Sequence, residues 1–146
     1  MRFGSLYGER SDNSNGITNV INNELHSKEI SYIGNKKFIR QYIHVSDVAK
    51  ACLEVLNKKY KNKHIILTGK KKNKVQKFLK ILADILKIKK KIKFLNKKYI
   101  GHYTKFPFTY KPKKTSKFIF KSEVNFKEGL SQLIKNIKRS NKIILK

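Results

Sequence analysis

The stretch GNKKFIRQYIHVSDVAKA, residues 34–51, is the one on which the reading of this chain turns. Gly34 closes whatever precedes it, and Phe38 to Val45 is rich in β-branched and aromatic residues, as a strand requires. Ser46 or Asp47 can then cap a helix whose apolar face is Val48, Cys52, Val55 and Leu56. One residue in the strand stands out. The positive charge is carried almost wholly by lysine, with arginine only at positions 2, 10, 40 and 139. An internal arginine in such a chain offers what lysine does not, a planar fork that grips phosphate or carboxylate with two parallel hydrogen bonds.

Working outward, Met1 to Tyr7 reads as one strand closed by Gly8, and SDNSNG (Ser11 to Gly16) as a polar loop of turn-forming residues. Ile17, Val20, Ile21 and Leu25 recur at helical spacing, and Ile30 to Ile33 forms a brief strand before Gly34. Downstream, His64 to Thr68 is a short buried-type strand stopped by Gly69. Val75, Phe78, Leu79, Leu82, Ile85 and Leu86 make the strongest helical stripe of the chain. Ile92 to Leu95 is a further strand candidate, and Asn96 to Lys117, with Pro107 and Pro112, is irregular. A last helix carries Leu130, Leu133, Ile134 and Ile137, and the tail NKIILK is expected to fray. There is no repeat and no clear linker. Strands alternate with helices, which makes the class α/β, with only two or three strands that look sheet-forming.

A length of 146 residues suits one domain, and 39% hydrophobic with 11% aromatic residues supplies a core. No apolar run approaches the roughly 18 residues of a membrane span. The start MRFGSLYGER lacks a signal-peptide pattern, and the single Cys52 fits a reducing compartment, so the expectation is a soluble cytoplasmic protein without membrane partners. The formal charge of +27 pulls towards nucleic acid. Against it, the lysines are scattered along the whole chain and arginine, the reader of guanine edges, is scarce. Weak, salt-sensitive and non-specific polyanion binding is what the charge implies.

RFGSLYGER, ISYIGNKKFIRQYIHVSDVAKA, HIILTG and VNFKEGLSQLI follow one another in an order that resembles the carboxy-terminal half of the NAD-dependent epimerase/dehydratase family. This is the extended branch of the short-chain dehydrogenase/reductases. Ser5 stands where the family's strand usually has Asn, Asn35-Lys36-Lys37 where a second glycine is commoner, and Gln41 where Asp or Glu is usual. The resemblance implies the last parallel strands of a Rossmann-type sheet plus a small α/β substrate-binding region, the sheet being incomplete. Within one truncated unit, 1–146, the Rossmann strands fall at about 1–8 and 64–69, interleaved with a substrate-binding region at about 9–63 and 90–140. It also implies a nucleotide-diphosphate sugar as ligand, with Arg40 as the diphosphate clamp and Ser5, Asn15, Tyr32, Tyr42 and Lys98 as further substrate contacts. Ser31 to Ile33 would line the base, and Phe3 would approach the nicotinamide.

The family's NAD(P) chemistry needs a Gly-rich turn at a helix N-terminus and an acidic tyrosine in a Tyr-x-x-x-Lys pair. The glycines at 4, 8, 16, 34, 69, 101 and 129 form no such turn. Tyr32…Lys36 spans a Gly turn and Tyr110…Lys114 spans Pro112, so neither pair shares a helix face. His26, His44, His64 and His102 are not at metal-ligand spacing, and His44 reads as a packed strand residue without a nucleophile elbow. The expectation is a chain that binds no NAD(P) and catalyses nothing alone: a gene fragment, or half of a split enzyme completed by a separate cofactor half or a homodimer partner. Its strands at Phe3 to Tyr7 and Ile65 to Thr68 would then leave edges and apolar faces open.

Overall fold

The structure is a computed structural model that describes residues 1–27, 29–89, 92–95 and 115–144, with side chains as far as residue 140. The stretch expected as one strand from Met1 to Tyr7 is two. β1 (Arg2–Phe3) pairs in parallel with β6 (His64–Leu67), and β2 (Ser5–Tyr7) pairs in parallel with β5 (Tyr42–His44). The switch of partner falls at Gly4, whose N–H still donates to Leu67 O at 2.8 Å. A Cβ there would stand 2.9 Å from Thr68 Cγ2, so the chain can change neighbours only because the side chain is missing.

The stretch 38–45 divides in the same way. β4 (Ile39–Arg40) runs antiparallel to β7 (Asn73–Lys74), and β5 follows after a break at Gln41. Gln41 is buried, and its side-chain amide donates to Gly69 O at 2.9 Å across the break. β-branched and aromatic composition sets an extended backbone, not which edge it finds, and that is why one sequence run serves two pairings.

Among the described residues, β6 is the middle of a parallel sheet in the order β1-β6-β9, with β9 at Thr115–Lys117. Ile65, Ile66 and Leu67 are all buried. The expectation of open apolar faces is therefore corrected for β6, which is flanked on both edges. It holds at β1, where Phe3 is 44% exposed. β3 (Ser31–Ile33) pairs in parallel with β8 (Lys93–Leu95), Ile33 opposite Leu95.

The helices bury the stripes their spacing announces. α1 (Gly16–Ser27) buries Ile17, Val20 and Ile21, and α3 (Val75–Leu86) buries Val75, Phe78, Leu79 and Leu82. α4 (Phe126–Ile144) adds Leu130, Leu133 and Ile134 to the same core, and the segment expected to fray continues as helix to Ile144. α2 (Val45–Glu54) lies over a second core built from Ile43, Val48, Ala51, Leu67 and Phe118. Two expectations about α2 are corrected. Its cap is His44, whose Nδ1 accepts from the Ser46 N–H, because the helix begins one residue before Ser46. Leu56 lies beyond the last turn and is 81% exposed. Among the described residues no helix is long and apolar enough to cross a membrane, and no three His, Cys, Asp or Glu side chains gather as metal ligands.

Candidate functional site

Arg40 comes from the last residue of β4, at the point where the chain passes from one strand pairing to the next. It is 6% exposed, its Nη1 donates to Ile39 O at 3.0 Å, and its guanidinium lies 5.6 Å from the centre of the Phe38 ring. The ring face and the backbone carbonyl hold the stem in place and leave the planar fork oriented. Arg40 lines a cavity of about 260 Å³ walled also by Ser5, Leu6, Ser14, Asn15, Gly16, Ile17, Tyr32, Tyr42 and Phe78. Arg40 is the one charged side chain among these described walls, so the cavity presents a net positive charge to an anion.

The walls come from six elements, β2, α1, β3, β4, β5 and α3, and from the loop before α1. Ser5 is carried on β2 and lies level with Tyr42 of β5, its parallel neighbour. Asn15 serves the fold as well: its Nδ2 donates to Leu6 O at 2.9 Å, while its Oδ1 accepts from the N–H of Ile17 at 3.0 Å and of Thr18 at 3.4 Å. It thereby caps α1 and pins that helix to β2, which places its amide at the cavity mouth. Tyr42 stacks on Phe126 with ring centres 5.4 Å apart and packs against Phe78 at 5.3 Å. Tyr32 meets Phe94 edge-on at 6.3 Å.

Burial pushes the phenols of both Tyr32 and Tyr42 upward; the nearby Arg40 charge opposes this without cancelling it. Both rings therefore remain neutral hydroxyl donors across the physiological range. That is the opposite of the acidic tyrosine that proton transfer to a sugar would need. Tyr32 and Lys36 lie on either side of the Gly34 turn, Tyr32 buried and Lys36 exposed, so this pair is no catalytic couple.

The cavity thus gathers Ser5, Asn15, Tyr32, Arg40 and Tyr42, five of the residues singled out in the sequence. Phe3 is not among its walls; it sits at the exposed end of β1. Lys98 lies outside the described residues, as do Gly101, His102 and Tyr110…Lys114. Sequence reasoning passed over Ser14 and Gly16, which it took only as turn formers.

A second cavity, of about 300 Å³, opens on the other side of Tyr42, among Tyr7, His44, Asp47, Lys71, Lys77, Glu123 and Phe126. Its carboxylates are engaged in the fold. Asp47 accepts from the Val124 N–H at 2.9 Å, and Glu123 accepts from the Lys70 N–H at 2.9 Å. Asp47, expected as a helix cap, instead fastens a distant segment to α2. His44 is packed, as expected, edge-on to Tyr7 at 5.1 Å.

Among the described residues no Gly-rich turn opens a helix. The one described glycine that opens a helix is Gly16, and no second or third glycine beside it lets backbone approach a pyrophosphate.

Residues 1–69 match the model of the NAD dependent epimerase/dehydratase family. No curated protein matches the chain. Among solved structures, the UDP-glucuronic acid 4-epimerase from Bacillus cereus, in complex with UDP-glucuronic acid and NAD, is 19% identical with a TM-score of 0.76 over 95% of this chain and 44% of that one. The dTDP-glucose 4,6-dehydratase from Bacillus anthracis, in complex with NAD, is 20% identical with a TM-score of 0.72 over 97% and 44%. The UDP-glucose 4-epimerase from Thermotoga maritima, with UDP-glucose, is 17% identical with a TM-score of 0.69 over 96% and 45%. The chain spans less than half the length of each, and what it shares with them is the fold, part of a Rossmann-type α/β architecture.

Proposed function

We propose that this chain, whose residues 1–69 carry the pattern of the NAD dependent epimerase/dehydratase family, is the nucleotide-sugar-binding portion of an epimerase or dehydratase of that family. The observation that carries the reading is the convergence of Ser5, Asn15, Tyr32, Arg40 and Tyr42 on one cavity whose single charged wall is a guanidinium. A diphosphate fits that wall best. It offers paired anionic oxygens to a planar fork, while the neutral hydroxyls of Ser5, Tyr32 and Tyr42 donate to what remains. The solved structures of like fold that hold UDP-glucuronic acid and UDP-glucose support a sugar nucleotide as the ligand class.

Hydride transfer is not assigned to these 146 residues, because their sequence contains no Gly-rich dinucleotide turn, and burial pushes the Tyr32 and Tyr42 phenols in the cavity away from acidity. In the proposed role the chain binds and orients the sugar nucleotide, and NAD(P) is held by polypeptide that carries the missing elements, in the same chain or in a separate one. The polyanion-binding alternative draws no support from the fold: it calls for lysines beside open aromatic platforms, and Phe3 is the exposed aromatic among the described residues.

The test is calorimetric titration of the full chain with UDP and with UMP at physiological ionic strength, for the wild type and for Arg40→Gln. The reading expects UDP to bind more tightly than UMP and the variant to lose that difference. Equal binding of the two nucleotides, or an unchanged preference in Arg40→Gln, overturns it.

A further inference from the structure

The second cavity, of about 300 Å³ on the far side of Tyr42, holds charges that do not cancel one another. Two carboxylates, Asp47 and Glu123, and three ammonium groups, Lys71, Lys77 and Lys127, share its walls. Yet in a chain of charge +27 neither carboxylate has a lysine or arginine partner among the described residues. Both oxygens of Glu123 accept from the one Lys70 N–H. Asp47 is 3% exposed; its Oδ2 accepts from the Val124 N–H, and its Oδ1 has no hydrogen-bond partner among the described residues.

Tyr7 adds a second uncommitted group. It is 2% exposed and walls this cavity, and its hydroxyl has no hydrogen-bond partner among the described residues. The hydroxyl lies at the first turn of α4, where a Cβ on Gly129 would stand 2.6 Å from it, so the missing side chain of Gly129 gives the phenol its place. Burial, and then the charges of Asp47 and Glu123, push this phenol upward. It keeps its proton, and both carboxylates lie within electrostatic reach of it.

A carboxylate withdrawn from water and left with one backbone donor lacks most of what hydration gave it, and an ammonium group restores that best. The buried end of the cavity therefore suits a cation bearing N–H donors, with Asp47 Oδ1 and the Tyr7 oxygen as acceptors. The lysines are exposed, at the open side, and suit an anion. Ile43, Ile81 and Phe126 add apolar wall.

We infer that this cavity is a second ligand site and that it takes a small zwitterion, an amino acid with an apolar side chain, its ammonium inward on Asp47 and Tyr7 and its carboxylate outward on the lysines. A lone anion would bring its charge against two carboxylates, and a lone cation would pass three lysines. A molecule that carries both charges escapes both repulsions. The volume, at the small end of ligand pockets, suits such a molecule. Nothing in the inference depends on what Arg40 binds.

The experiment is titration calorimetry of the full chain at neutral pH and physiological ionic strength with three probes of one carbon skeleton. They are L-leucine, L-leucinamide, which has the ammonium without the carboxylate, and 4-methylpentanoate, which has the carboxylate without the ammonium. Leucine should bind at least about tenfold more tightly than either, the scale of one lost charge-assisted hydrogen bond. Asp47→Asn keeps an acceptor for the Val124 N–H but not the charge, and should weaken leucine by about tenfold while leaving 4-methylpentanoate unchanged. Tyr7→Phe removes a hydroxyl that serves no bond of the fold, and should weaken leucine several-fold even if Asp47→Asn folds poorly, which far-UV dichroism checks. Absence of leucine binding overturns the inference, as does binding of leucinamide or 4-methylpentanoate as tight as that of leucine. An unchanged leucine affinity in Tyr7→Phe and in folded Asp47→Asn overturns it too. Each of these results leaves Arg40's role standing.

Discussion

Replacing Gly69 by alanine tests how the two halves of the site are held together. Gly69 follows the strand β6 and lies against the backbone of Tyr42, so closely that an added Cβ would meet Tyr42 O at 2.0 Å and Tyr42 C at 3.0 Å. Ordinary contact begins at 3.4 Å, leaving the methyl group about 1.4 Å short of room. The obstacle is backbone, so no rotamer change relieves it. Either β5 moves away from the turn or the turn moves away from β5, and each motion stretches the buried bond from Gln41 to Gly69 O. Overpacking of this kind costs about 1–3 kcal/mol, and a buried polar group left without its partner about 1–3 kcal/mol more. The expected loss is therefore roughly 2–6 kcal/mol, a large share of the ~5–15 kcal/mol that holds a domain together. In thermal melts followed by far-UV dichroism this corresponds to a fall in Tm of about 5–15 °C for a chain of this size. Lys70→Ala, next door and exposed, should change little. A Gly69→Ala melt within about 2 °C of wild type would mean that β5 and the Gly69 turn are not in contact, and the geometry placing Tyr42 beside Arg40 would have to be abandoned.

Three further outcomes are expected. Arg40→Lys keeps the charge but not the fork, and should weaken UDP binding by about 10- to 100-fold in calorimetry, as expected for the loss of one or two charge-assisted hydrogen bonds; an undiminished affinity would show that charge alone suffices. Asp47→Ala leaves the Val124 N–H without its acceptor and should cost about 2–3 kcal/mol in urea unfolding, with Asp47→Asn milder because its amide oxygen still accepts. Burial holds the His44 imidazole below its ordinary 6.5, against the pull of Asp47 and Glu9. The unfolded chain then binds the proton more readily, so stability falls as pH drops through the interval below 6.5. His44→Asn, which retains an acceptor for the Ser46 N–H, should flatten that part of the urea-midpoint profile, and an unchanged slope would assign it to another group.

The legible parts of the chain were those decided by local periodicity. Val75, Phe78, Leu79 and Leu82 all point into one core because a 3.6-residue repeat leaves them no other common side. Arg40 was legible for a different reason, its chemistry being out of place among lysines. What escaped were choices made between distant segments. Nothing local in RFGSLY says that the strand leaves β6 for β5 at Gly4, or that Phe38 to Val45 breaks at Gln41. The capping role moved from Ser46 and Asp47 to His44 because the helix begins at Val45, and Asp47, within its first turn, accepts from a backbone group 77 residues away.

The position of β6 between β1 and β9 sets the order in which the molecule can be made. As the ribosome releases the chain, Arg2 and Phe3 can find Ile66 and Leu67 only after some sixty residues have emerged, and the other edge of β6 stays bare until Thr115 to Lys117 follow. Tyr7 must wait longer still for Phe126, against which it packs at 5.1 Å. The segment that carries the family pattern, residues 1–69, thus emerges before the residues that complete it, and until Thr115 to Lys117 follow, one edge of β6 is an exposed β edge. Truncation anywhere before β9 should accordingly yield aggregates in place of a smaller folded unit.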